Sequence, residues 1–202
     1  MISIEKILAI GKEDLPEFSK TLEAEDIAKL VRYLTEKDDK LRYNSLLLLE
    51  YRSEEHDDVY PFWNTFCEKL KSSNSYHRSI GLTLMADNAK WDKGNRIDGA
   101  IDDYLKILTD EKPITVRQCI QAFSKIIPYK THLHNRIANE LMYINIMDIK
   151  ETMRKLILLD ILNILVLIRK QRTSEEIDSY ISKTLTGELL DKKSKKQIEL
   201  ML

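Results

Sequence analysis

The sequence predicts an all-α fold, an α-solenoid of about five helical hairpins, and three observations carry that expectation. First, Arg42, Arg78, Arg117 and Arg154 fall 36, 39 and 37 residues apart, and each opens an apolar helical run shortly after an acidic or amide turn. A period of about 37 to 43 residues holding two helices marks hairpins that stack into one continuous core, since a lone hairpin cannot bury its own apolar face. Second, Leu, Ile, Lys and Glu dominate, while the 202 residues hold only five Gly and four Pro, a balance that favours helices over short strands joined by tight turns. Third, apolar residues recur at helical spacing between the arginines, as at Ile27, Leu30, Val31 and Leu34.

The elements follow in order within one domain spanning residues 1–202. Residues 1–23 read as a cap that shields the first repeat: a helix over 3–10, with Ser3 at its N-cap and Gly11 just past its end, then a short helical piece over 16–22. Five repeats follow, over 24–58, 59–95, 96–130, 131–172 and 173–202. Their helix pairs are expected at 24–34 with 40–52, 59–71 with 75–89, 96–108 with 115–127, 133–143 with 149–170, and 174–184 with 191–202. Pro61 and Pro113 sit at helix starts, where a missing N–H costs nothing, and Pro128 ends the third repeat's second helix. In the fifth repeat Lys195 takes the register of the arginines, with Ile198 matching Ile120.

The second helix of each pair resembles that of HEAT repeats, where an acidic turn residue precedes an apolar residue and an Arg, with a small residue three positions on. The third repeat carries the pattern as Asp110-Glu111-Lys112-Pro113-Ile114-Thr115-Val116-Arg117, and Gly81 and Ser45 supply the small residue after Arg78 and Arg42. A small side chain at the crossing lets two helix axes approach, which accounts for a mid-helix Gly despite its cost of about 1 kcal/mol. The resemblance covers residues 24–202 and departs from the pattern in the second repeat, where His77 replaces the apolar residue and Asn74 stands near the acidic position. It implies binding of proteins or nucleic acids through a concave surface lined by the second helices. As a whole the chain is similar to small stand-alone bacterial HEAT-like proteins. Some of these carry an iron–sulfur assembly label, which two isolated cysteines do not support here.

Charge and composition narrow the function classes. The formal net charge is −1, distributed as −6 over residues 1–58, +1 over 59–120 and +4 over 121–202, without the overall basic excess of a domain built to grip a nucleic-acid duplex. The first 14 residues are too short and polar for a signal peptide. The longest apolar run, 156–168, falls short of the roughly 20 residues that span a membrane. A cytoplasmic location is therefore expected. Cys67 and Cys119 lie in different repeats without metal-ligand spacing and read as small buried hydrophobes, not as a disulfide.

Few residues suggest chemistry. The ladder Arg42, Arg78, Arg117 and Arg154 reads as structural, each guanidinium meeting a carboxylate such as Glu36, Asp39, Asp110, Glu111 or Asp148, or a turn carbonyl; the competing reading is a phosphate-binding stripe. Asp160 and Asn163 share one face of the most apolar helix, where the carboxylate must either find a cationic partner or face a groove. With Asp87 and Lys125, also late in second helices, they form the candidate binding set. Trp91 and Asp92 follow the second repeat, and helical-repeat DNA glycosylases of the alkylation-repair type resemble this architecture and use Trp, Asp and Arg on a damaged nucleotide. Trp91 is otherwise expected to pack between repeats two and three. His132 and His134 are poorly spaced for a shared metal, and no phosphate loop, nucleophile elbow or zinc-protease motif is present. No catalytic residue, cofactor or metal is expected. The reading is a non-enzymatic module that binds a protein or peptide; a nucleic-acid binder of the glycosylase type is the alternative, kept open by Lys192, Lys193, Lys195 and Lys196.

Overall fold

The computed structural model describes residues 2–202, and the chain is all-helical, with twelve α-helices and five short 3-10 turns and no strand among the described residues. It divides into two compact units, residues 1–103 and 104–202. Each has its own core.

In the first unit, α1 (Ile4–Ala9) starts where the Ser3 side chain accepts from the Lys6 N–H at 3.3 Å, and α2 (Leu15–Lys20) carries Pro16 in its first turn. A capping box between Glu23 and Asp26 opens α3 (Ala24–Tyr33), whose buried stripe is Ile27, Leu30 and Val31. Asp38 caps α4 (Asp39–Glu55) by accepting from the Leu41 N–H at 2.8 Å. The last hairpin pairs α5 (Trp63–Leu70) with α6 (Ser75–Asp87), which Asn74 caps. These two helices approach closely at Gly81, where a Cβ would lie 2.7 Å from the Phe66 carbonyl oxygen. Arg52, nearly buried on α4, joins three segments. It donates to both Asp58 carboxylate oxygens and to the carbonyls of Ser19 and Lys20 at the end of α2.

A single helix over 96–108 is not what forms. A 3-10 turn (Arg96–Gly99) comes first, then α7 (Ile101–Lys106), which crosses from one unit to the other, and a second 3-10 turn (Ile107–Thr109). The cause is local. Asp92, 1% exposed, accepts from the N–H groups of Arg96 and Ile97 at 2.8 and 3.1 Å, and Asn95 turns the chain in the left-handed region at φ 53°.

The second unit is built around α10 (Glu151–Gln171), which packs against α8 (Pro113–Ile126), α9 (His134–Tyr143), α11 (Glu175–Thr186) and α12 (Lys192–Glu199). Ile157, Leu158, Ile161, Leu162 and Leu165 are buried on more than one face of α10, as a helix surrounded by neighbours requires. Tyr104 and Phe123 meet at a ring-centroid distance of 5.2 Å. Asp191 caps α12 through the Ser194 N–H and pairs with Lys155, and these contacts hold its carboxyl well below the usual range. No helix among the described residues is long and apolar enough to cross a membrane.

Candidate functional site

The side chains at the ladder positions do two different things. Three arginines reach back to carbonyl groups of the turn before their own helix. Arg42 Nη1 donates to Glu36 O at 2.7 Å, Arg78 Nη1 to Ser72 O and Ser73 O at 2.8 and 3.0 Å, and Arg154 to Ile149 O and Met147 O at 2.9 and 2.8 Å. Lys195 does the same on α12, donating to Gly187 O at 2.7 Å. Each cation so placed satisfies carbonyls at a turn that no helix would otherwise pair. Arg42 also pairs with Asp39 and lies 4.5 Å from the centre of the Tyr76 ring.

Arg117 departs from this pattern. It reaches from α8 to α10 and donates twice to Asp160, Nε to Oδ2 at 2.6 Å and Nη2 to Oδ1 at 3.2 Å, while Gln121 Nε2 donates to Oδ1 at 2.9 Å. Asp160 is 7% exposed, so these three donors replace the water its carboxylate has lost. Arg117 is thus the cationic partner that its position on an apolar helix demands. Of the remaining binding candidates, Asp87 is buried at the end of α6 in the first unit, Lys125 is exposed on α8, and Asn163 is half-buried on α10 with its Oδ1 buried and without a hydrogen bond.

Trp91 and Asp92 organise the chain after α6. The Trp91 indole donates to Ser53 O of α4 at 2.8 Å, so it packs towards the first hairpin and not between the second and third as expected, and Lys90 lies 4.9 Å from its ring. Asp92 accepts from the Tyr60 hydroxyl at 2.7 Å as well as from the two amides of the following turn. Burial, aided by this carboxylate, pushes the Tyr60 hydroxyl above its ordinary pKa. His134 is buried and its Nε2 lies 2.8 Å from Ile127 O, whereas His132 is exposed in the preceding turn. Both thiols are free, and burial raises the pKa of Cys67 and, more strongly, of Cys119. Among the described residues no three His, Cys, Asp or Glu side chains gather as a metal would require.

A further concavity involves none of the candidate binding residues. In the second unit a cleft of about 720 Å³ lies between the turn after α7, the start of α8, and the segment from the end of α9 to the start of α10. Leu105, Leu108, Val116 and Ile157 supply its apolar floor. Asp110, Glu111, Glu140 and Asp148 line it with Lys150, and Tyr143 stands beside them 89% exposed. The sequence offers Asp110, Glu111 and Asp148 as arginine partners, but Arg117 pairs with Asp160 and Arg154 with backbone carbonyls. Glu111, Glu140 and Asp148 form no ion pair within the described residues. The signal available in the sequence is Tyr143 followed by Ile144, two large apolar side chains at a helix end where a polar turn is usual. A smaller cleft of about 410 Å³ in the first unit is lined by Trp63, Asn64, Cys67 and Arg96, and Arg96 is held there by Asn64 Oδ1 at 2.7 Å.

No protein-family model matches the chain, and no curated protein matches it. Among solved structures it is similar to the crystal structure of an engineered protein, with 16% identity and a TM-score of 0.58 over 100% of this chain and 96% of that one. At that identity the likeness concerns the fold alone.

Proposed function

We propose that the chain is a HEAT-like helical-repeat module that binds a protein or peptide and performs no chemistry of its own. The recurring link from Arg42, Arg78, Arg154 and Lys195 to the carbonyls of the preceding turn supports a repeated hairpin, and hence a solenoid. The observation that carries the binding reading is the second unit's cleft, whose apolar floor and polar rim have the make-up of a protein-recognition surface. Asp92 and Asp160, the carboxylates a base-excision reading would recruit, are each engaged by internal donors.

The immobilised full-length protein is expected to retain a partner from native lysate equally before and after nuclease treatment. Retention should fall when Tyr143, which is exposed and needed by no core contact, is changed to Ala. No binding to random duplex DNA at physiological salt and no release of alkylated bases are expected. Duplex binding at micromolar affinity that weakens steeply with salt, or base release lost in Asp92→Asn, would replace this reading with the nucleic-acid one.

A further inference from the structure

The cleft of the second unit is acidic, and its sign is a property of placement and not of composition. Residues 104–202 carry a net charge of +5, yet four carboxylates, those of Asp110, Glu111, Glu140 and Asp148, line this one cleft with the single ammonium of Lys150. Three of the four, Glu111, Glu140 and Asp148, are exposed and in no ion pair among the described residues. Carboxylates gathered around an apolar depression make the local potential more negative, because the low-dielectric floor cannot screen them. The floor itself is Leu105, Leu108, Val116 and Ile157, and the volume of about 720 Å³ is within the range that encloses one or two large side chains.

We propose that this cleft receives a peptide segment of a partner protein that inserts a bulky apolar side chain flanked by Lys or Arg. The inference rests on the protein-binding reading above and names the chemistry of its ligand. The apolar anchor supplies burial against the floor, while the flanking cations meet Glu111, Glu140 and Asp148 at the rim, where charge sets partner choice and encounter rate more than affinity. Tyr143 closes one side: an aromatic ring left in water at the edge of a cleft gains its packing only when a partner covers it. A polyanion is disfavoured at this place, since each phosphate would face carboxylates and not cations.

The test uses the full-length protein and three fluorescent peptides of equal length: a Leu-Phe centre between two Lys-Arg pairs, the same centre between two Glu-Asp pairs, and a Ser-Ser centre between two Lys-Arg pairs. Fluorescence anisotropy should show saturable binding of the first alone. The triple variant Glu111→Gln, Glu140→Gln, Asp148→Asn should weaken it on the order of tenfold, and Tyr143→Ala by a similar factor. All four side chains are exposed, so both variants should keep the helical circular-dichroism spectrum of the parent. A salt titration of the unmodified protein gives a readout that needs no variant, with affinity for the first peptide falling as salt rises. Equal binding of the acid-flanked peptide, or binding of the first peptide untouched by both variants, overturns the proposal. So does self-association of the protein through the lysines of α12 that abolishes peptide binding. Nuclease-resistant capture of a lysate partner that survives in the triple variant would overturn the cleft chemistry and leave the interaction-module reading standing; loss of all capture together with absent peptide binding would remove both.

Discussion

Asp160 is a carboxylate in the interior of an apolar helix, and Arg117 and Gln121 donate to it in place of the water it has lost. Arg117→Ala removes two of those three hydrogen bonds and leaves the charge nearly buried. A loss of about 2–3 kcal/mol is expected, the range for a buried charged group deprived of its partner. Urea denaturation checks it, and a double variant, Arg117→Ala with Asp160→Asn, should lose less than the sum of the two single changes, because the second change removes the stranded charge. The apolar neighbours of Arg117, namely Val116, Cys119 and Ile120, already mark its helix as a core element in the sequence. Its partner is not legible there. Asp160 is 43 residues away, whereas Asp110 and Glu111 are adjacent and look equally suitable. Local spacing ranks partners by distance along the chain, and only packing brings α8 and α10 together.

At the scale of elements, the caps and stripes explain most boundaries. Ser3, Asp38, Asn74, Ser174 and Asp191 each accept an amide at the start of the helix that follows, and all five of these helices begin within a residue of the expected position. The segment 96–108 breaks instead, since its apolar spacing is helical but the Asp92 carboxylate and the left-handed Asn95 hold its beginning as a turn. Asp92 could not be recognised in sequence as a cap, because it acts together with the Tyr60 hydroxyl from 32 residues earlier. Gly81 offers a direct test of helix approach. On an exposed helix face Gly→Ala gains about 0.5–1 kcal/mol. Here the new methyl would stand 2.7 Å from Phe66 O, 3.1 Å from Leu70 Cδ2 and 3.2 Å from Lys69 Cβ, and the first of these is backbone that cannot swing aside. Gly81→Ala should therefore destabilise, by about 1–3 kcal/mol, and a lowered thermal midpoint against the parent decides the sign.

For the whole molecule, stability on the acid side depends on carboxylates that the fold has enlisted. Asp26 is one. Burial pushes its pKa up, but hydrogen bonds from the backbone N–H groups of Ile2 and Glu23 outweigh burial and leave the carboxyl below its ordinary value of 3.8. A depressed folded-state pKa means that the ionised group contributes its full stabilisation above the unfolded pKa, and loses it as the pH falls through the folded one. Asp26→Asn should accordingly lower the thermal midpoint at pH 7, and the gap to the parent should close below about pH 4. A gap that stays constant down to about pH 2 would show that the charge of Asp26 contributes nothing.

The helical class and most helix starts belong to the sequence by itself, because apolar period, capping residues and proline position act within a few residues of chain. The division into two compact units, the Arg117–Asp160 pair, the turn built on Asp92 and the acidic cleft were decided only by tertiary structure. Each depends on groups far apart in sequence arriving at one place, and the energy that selects it, desolvation of a carboxylate or close approach of two helices, does not exist until the chain has packed.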